Sequence, residues 1–344
     1  MKISVIVPFY NAEKTLAACV ESLLALEEIP CEIVLVDNAS TDRSFEIAAS
    51  FEGNAGNKQY RVLKELKRGR EFARNRGAQE ATGDLLAFTD ADCLVDPKWL
   101  FHIQEAFCAH PEWSGGGGNV KGAAPKNLVQ KFLSLYTLRA HFQESETLDQ
   151  FDLFKGGFPG ANLAIRKEMF QKLNGFEELP YAAGDFDLCA RIYALSAKMG
   201  VIPNAVVFHQ HRKTAKEMCL QAHTTGGAQA VLMRRYFPHD WIVELPGKTF
   251  RGKNAPFPIW LNLIYLDKKV LFGLLLAGIW PPLILIVLCY FVYLASQAHR
   301  HAQEENLPLL TTEKIGMLGL MLAKSFSMTC GRLIEGARQK GICL

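Results

Sequence analysis

Three short aliphatic runs, each leading straight to an acidic or amide side chain, constrain this chain more than any other feature. Ile3-Ser4-Val5-Ile6-Val7 leads through Pro8 and Tyr10 to Asn11. Glu32-Ile33-Val34-Leu35-Val36 ends on Asp37, and Leu85-Leu86-Ala87-Phe88 runs into Thr89-Asp90-Ala91-Asp92. Runs this short and apolar read as buried strands. Between the first two, Leu16, Val20, Leu23 and Leu24 recur at helical spacing. Tyr60 to Leu66 reads as a further strand, and Glu71 to Thr82 as a helix carrying Arg74 and Arg76, with Arg70 just before it. Strand–helix alternation predicts an α/β fold with a Rossmann-like, doubly wound, mostly parallel sheet. Ligands of such sheets sit at the carboxyl ends of the strands, where Asn11, Asp37, Asp90 and Asp92 gather.

The balance of 38 Lys and Arg against 35 Asp and Glu leaves a net charge of +3, so nucleic acid is not an expected partner. The 49% hydrophobic content excludes disorder as the main state. Nine cysteines without a Cys-x-x-Cys pair argue against a zinc ribbon and give no disulfide framework, which fits a reducing compartment. The opening residues lack the basic, apolar and small-residue pattern of a secretory signal, so a cytoplasmic location is expected for this part.

Asp90 and Asp92 stand two apart where a strand meets a loop, and two such carboxylates suit a hard divalent cation. A solvated pair with capping duty is the alternative. Asp37 reads equally as a turn residue. Asp185 and Asp187 read equally as stabilisers of the helix that follows them. Ala205-Val206-Val207-Phe208 is a strand leading to His209 and His211. A helix is expected over roughly 127–146, and the four glycines at 115–118 imply a flexible or closely approached backbone. Trp99, Phe101 and Phe107 are expected in the core, and Gly226-Gly227 at a helix end or break.

These motifs, in this order, resemble those of family 2 inverting glycosyltransferases. The likeness covers Val5-Ile6-Val7-Pro8-Phe9-Tyr10-Asn11, Val36 to Asp42, Arg74-Asn75-Arg76-Gly77, Thr89-Asp90-Ala91-Asp92, Gly160-Ala161-Asn162-Leu163-Ala164-Ile165-Arg166 and Gly184-Asp185-Phe186-Asp187-Leu188. The resemblance implies a GT-A fold, a nucleotide-diphosphate sugar donor, and a divalent cation, Mn²⁺ or Mg²⁺. It implies donor contacts at Pro8, Tyr10, Asn11, Asp37, Arg74 and Asp90, metal ligation by Asp90, Asp92 and His209, and acceptor contacts at Asn162 and Asp187. Asp185 would be the general base. Members commonly carry Glu immediately before that aspartate; here Gly184 stands there. The departure keeps open a catalytically inactive nucleotide-sugar-binding subunit that scaffolds a membrane complex. The implied organisation is a glycosyltransferase domain over 1–240, with a donor part over 1–115 and an acceptor part over 116–240, followed by a helical membrane-attachment region over 241–344.

The tail carries its own signal. The 27 residues from Val270 to Ser296 hold no formal charge, which reads as a membrane segment. A straight helix of that length would reach about 40 Å, and Pro281-Pro282 near its middle predict a kink. A kinked span is expected here over a re-entrant hairpin. Lys268 and Lys269 would mark the cytoplasmic side of the inner membrane. Ile315 to Thr329, interrupted by Lys324, is a second apolar stretch that could lie in the interface as an amphipathic helix or pack on the first through Gly316 and Gly319. The expected acceptor is a glycan or a lipid-linked molecule of the cell envelope.

Overall fold

The structure is a computed structural model that describes residues 1–27, 31–53, 58–137, 142–151, 157–245, 247–264 and 266–344. The chain forms two compact units, Met1–Ala124 with Leu138–His211, and Pro125–Thr137 with Arg212–Leu344. This division differs from the expected one after residue 240. The helix Ala215–Tyr236 packs along the helix Thr311–Arg338 and so belongs with the second unit.

The first unit is built on one sheet. Its strands are β1 (Ile3–Phe9), β2 (Cys31–Asp37), β3 (Gln59–Lys64), β4 (Leu85–Phe88), β5 (Cys93–Val95), β6 (Trp113–Gly122), β7 (Thr147–Leu148), β8 (Leu163–Arg166) and β9 (Lys198–His209). They lie in the order β3-β2-β1-β4-β8-β6-β9-β5, with β7 also paired to β9. The half from β3 to β4 is parallel, as the alternation predicts. Beyond β4 the sheet is mixed: β8 runs antiparallel to both β4 and β6, while β6 and β9 are parallel. Apolar side chains cover both faces, one around Leu16, Val20 and Trp99, the other around Phe88, Phe170 and Leu188.

Pro8 sits in a central strand without harm to the ladder. Pairing of β1 with β4 ends at Ile6 and Phe88, and Thr89 donates to the Ile6 carbonyl. Pro8 shares the parity of Ile6, so its missing N–H falls beyond the end of β4. The four glycines at 115–118 form the middle of β6, which resolves the two expectations in favour of close approach. A Cβ at Gly117 would stand 2.5 Å from the Phe158 ring, and one at Gly116 2.5 Å from the Gly200 carbonyl oxygen. The expected helix over 127–146 is shorter, Leu128–Tyr136, with the Asn127 side chain accepting the Gln130 N–H. Residues 138–141 of that expectation lie outside the described ones.

The second unit is not wholly helical over 241–344. Strands β10 (Trp241–Leu245), β11 (Lys248–Gly252), β12 (Ile259–Asn262) and β13 (Ile342–Cys343) form a small sheet in the order β11-β10-β12-β13. Gly226 and Gly227 lie inside the helix Ala215–Tyr236 and not at a break. A Cβ at Gly226 would collide with the Met328 carbonyl oxygen, and one at Gly331 with that of His223. Small residues thus let these two helices touch backbone to backbone.

The uncharged run turns back on itself, contrary to the expected kinked span. The helix Leu266–Ile279 is followed by a tight turn at Pro281–Leu283 and the helix Ile284–Glu304. Gly273 faces Val287, and the Lys269 ammonium lies 5.7 Å from the centre of the Tyr290 ring. Contacts at these mirrored positions define a hairpin. Each proline removes a backbone donor, so the helix stops instead of bending. Gly316 faces Leu128 rather than this hairpin, and Gly319 faces open space. Among the described residues, Pro281–Glu304 is long and apolar enough to cross a membrane, with 11% of its most apolar stretch buried in the protein.

Candidate active site

The carboxyl ends of β1, β2 and β4 carry the first group of predicted residues. Asn11 adopts a positive φ of 48°, and its Oδ1 accepts the Thr41 N–H at 2.8 Å. Asp37 ends β2, buried, with Oδ1 accepting the Ser40 N–H at 3.1 Å. Asn38 pins the following loop through the carbonyls of Glu65 and Lys67 and accepts the Gly69 N–H. Gly69, at φ 136°, starts the helix Arg70–Glu80. That conformation favours glycine. Pro8 is buried, whereas Tyr10 is exposed, with the Arg68 guanidinium 5.2 Å from its ring centre.

Asp90 and Asp92 have different surroundings. Asp90 Oδ1 accepts from Arg74 Nη2 at 2.7 Å, and its Oδ2 is 3.7 Å from Arg70. Burial would raise the Asp90 pKa, but Arg74, Arg70 and His209 outweigh it and hold the carboxyl below the ordinary aspartate value. Arg74 is fully enclosed, with Asp90 as its partner. Asp92 lies on the other side of the turn. The pairing of β5 with β9 sets Cys93 opposite His209, and this register brings His209 Nε2 within 3.5 Å of Asp92 Oδ1.

Donor atoms of Asp92, Cys93 and His209 all lie within 4.8 Å of one another. His209 is buried, and its Nδ1 has no hydrogen-bond partner among the described residues. Burial first, then the charges of Asp92 and Asp90, hold the Cys93 thiol well above its ordinary pKa. A carboxylate with an imidazole suits a divalent transition-metal cation. The residues present therefore fit a divalent cation at Asp92 and His209, with Asp90 tied to Arg74.

Asp185 opens the helix Gly184–Ala194 and is buried. Its Oδ2 accepts the Gly160 N–H at 2.9 Å and its Oδ1 the Phe186 N–H at 3.0 Å, which fixes the carboxylate. A Cβ at Gly160 would collide with the Arg74 guanidinium, so the glycine lets this backbone lie against Arg74. Arg70 ties the groups together electrically. Burial works against its charge, but Asp90, Asp185, Glu71 and Asp92 outweigh burial and raise its pKa.

Asn162 and Asp187, the residues expected at the acceptor, are both engaged inside the protein. Asn162 is buried, accepting from Trp99 Nε1 and donating to the carbonyls of Asn119 and Ala205. Asp187 is fully buried and accepts from Arg191 Nε at 2.7 Å; Arg191 also holds the carbonyls of Leu173 and Gly175. Both side chains are held by hydrogen bonds within the protein. Trp99 and Phe107 are in the core as expected, but Phe101 is exposed. Sequence reasoning gave Glu71 no role at the site, and the Arg70-Glu71 pair at a helix start carries no spacing signal that would have shown one.

Residues 4–173 match the sequence model for glycosyl transferase family 2. This part of the chain belongs to that family. The family 2 segment is 42% identical over 96 residues to the uncharacterized glycosyltransferase YibD of Escherichia coli, covering 28% of this chain and 27% of that protein. The probable glycosyltransferase YdaM of Bacillus subtilis is 25% identical over 226 residues, covering 62% and 52%. The matched part thus spans about a quarter to a half of these two relatives. The fold is GT-A. The mannosyltransferase PcManGT of Pyrobaculum calidifontis, solved with GDP-Man and Mn²⁺, superposes with a TM-score of 0.55 at 19% identity, over 96% of this chain and 86% of that one. S. aureus TarS 1-349, solved with UDP-GlcNAc, gives 0.52 at 17%, over 99% and 93%.

Proposed function

We propose that this chain transfers a sugar, with inversion, from a nucleotide-diphosphate sugar to a glycan or lipid-linked acceptor at the cytoplasmic face of the inner membrane. One observation carries the reading: Asp92 beside His209, Asp90 on Arg74 and Asp185 on Gly160 meet around Arg70. Residues 1–115 supply the donor half, with Asn11 and Asp37 toward the nucleotide. Residues from 116 to the end of the first unit supply the acceptor side. The binding of UDP-GlcNAc by TarS and of GDP-Man with Mn²⁺ by PcManGT supports the donor class.

Asp92 and His209 would hold Mn²⁺, which when bound offsets the charge gained by the departing nucleoside diphosphate. Asp185 accepts the proton of the attacking acceptor hydroxyl. Two backbone N–H groups fix its orientation, which favours attack from one face. Arg74 keeps Asp90 ionised and immobile. The exposed hairpin, with Ile279 and Trp280 at its tip, attaches the protein to the bilayer.

A thermal-shift screen of nucleotide-diphosphate sugars with Mn²⁺ tests the donor reading. A donor at a hundred times its Kd adds about 2.7 kcal/mol of stability. A Tm raised by one donor with Mn²⁺, and not by its free sugar, is expected; a flat response across the panel would refute the reading.

A further inference from the structure

We infer that Glu71 is a further residue of this site, a carboxylate held beside Asp185 to accept a hydrogen bond from an acceptor hydroxyl. The inference rests on the glycosyltransferase reading above. Glu71 is 6% exposed, and its Oε1 accepts no hydrogen bond among the described residues. Arg70 Nη2 lies 3.9 Å from Glu71 Oε1, beyond hydrogen-bond reach. A buried carboxylate oxygen without a donor is costly, and a native fold keeps one for a reason.

The place of Glu71 is set by Gly184, the residue before Asp185. A Cβ at Gly184 would stand 2.9 Å from Glu71 Cγ and 3.2 Å from Glu71 Oε1. Gly184 lies in a helix and has no positive φ, so space explains the glycine better than backbone freedom. The helix Arg70–Glu80 thereby delivers a carboxylate to the start of the helix that carries Asp185. Arg70 is shared among Asp90, Asp185, Glu71 and Asp92, so four carboxylates depend on one guanidinium. Glu71 adds its own carboxylate to that group, and its Oε1 without a donor is a cost. A ligand bringing a hydroxyl donor relieves that cost, and the hydroxyl-rich ligand of this reaction class that reaches Asp185 is the acceptor.

The test compares Glu71→Gln, Glu71→Ala and the double variant Glu71→Ala/Gly184→Glu in the full-length protein. Two readouts are used: Tm without ligand, and kinetics of both sugar transfer and donor hydrolysis by water. Tm of Glu71→Gln is expected at or above wild type, because one of the crowded carboxylates becomes neutral. Loss of a hydrogen bond to a charged group should raise the acceptor KM of Glu71→Ala roughly ten- to a hundredfold. Its donor KM should stay within about twofold, and hydrolysis should fall less than transfer, since the proposed bond is to the acceptor alone. The double variant returns a carboxylate to the same space from the other side, and should recover part of the acceptor affinity. A Tm several degrees lower in Glu71→Gln would overturn the inference, as would an unchanged acceptor KM or equal losses in transfer and hydrolysis. A wild type inert toward every donor would instead refute the glycosyltransferase reading, and the Tm comparison would still show whether Glu71 serves the fold.

Discussion

Arg74 has no contact with water, and Asp90 answers its charge at 2.7 Å. Asp92, two residues on, is part-exposed beside His209. Substitutions at the two aspartates should therefore separate. Asp90→Asn strands a buried guanidinium and should cost roughly 3 kcal/mol of stability as well as activity. Asp92→Asn should shift stability by less than about 1 kcal/mol while nearly abolishing transfer and Mn²⁺ binding, measured by denaturant unfolding and metal titration. Equal stability losses would contradict the division of labour. Glu32 gives a pH test remote from the site. Burial would raise its pKa, but hydrogen bonds from Ser4 and Thr82 and the Arg61 charge hold it below the ordinary glutamate value. Since the folded pKa is the lower one, its contribution is present above the unfolded value of about 4.3 and lost as pH falls through the folded one. Glu32→Gln should cost about 1 to 3 kcal/mol at pH 7, with the gap to wild type closing below pH 4.

At the scale of elements, the parallel half of the sheet was legible because each strand is a continuous apolar run and the polar residues punctuate its end. Leu85–Phe88 matches its strand end to end. The β6 strand was not legible as a strand, since four glycines carry no β pattern and only the closeness of Phe158 and Gly200 explains them. Motif position singled out Asp90, Asp92, Asp185 and His209 but could not say which way a side chain points. Asn162 and Asp187 face inward, and Glu71 enters from a helix start with no motif of its own. The glycine contact between helices Ala215–Tyr236 and Thr311–Arg338 gives a test at this scale. Gly331→Ala sets a methyl against the His223 carbonyl oxygen, and should cost about 1 to 3 kcal/mol by thermal unfolding. Gly319→Ala, in open space on the same helix, should be neutral or slightly stabilising.

For the molecule as a whole, the hairpin geometry changes the expected topology. Lys268 donates to Thr329 and lies near Asp267, so its charge is engaged inside the protein. A hairpin inserted by its tip would keep both of its ends on one side of a bilayer. A cysteine introduced at Gln303, after removal of the native cysteines, should be protected from an impermeant thiol reagent on intact cells; labelling would indicate a span. Ile279→Asp/Trp280→Asp at the exposed tip should move protein into the soluble fraction without lowering donor affinity. The central claim, that the first unit breaks the bond between a sugar and a nucleoside diphosphate at the Asp92–His209 end of its sheet, is tested most directly by nucleoside diphosphate release. The full-length protein would be incubated with Mn²⁺ and a panel of nucleotide-diphosphate sugars, with and without excess chelator, beside Asp92→Asn. Release from at least one donor, lost with chelator and lost in the variant, is the predicted result; release that survives both, or none from any donor, would contradict it.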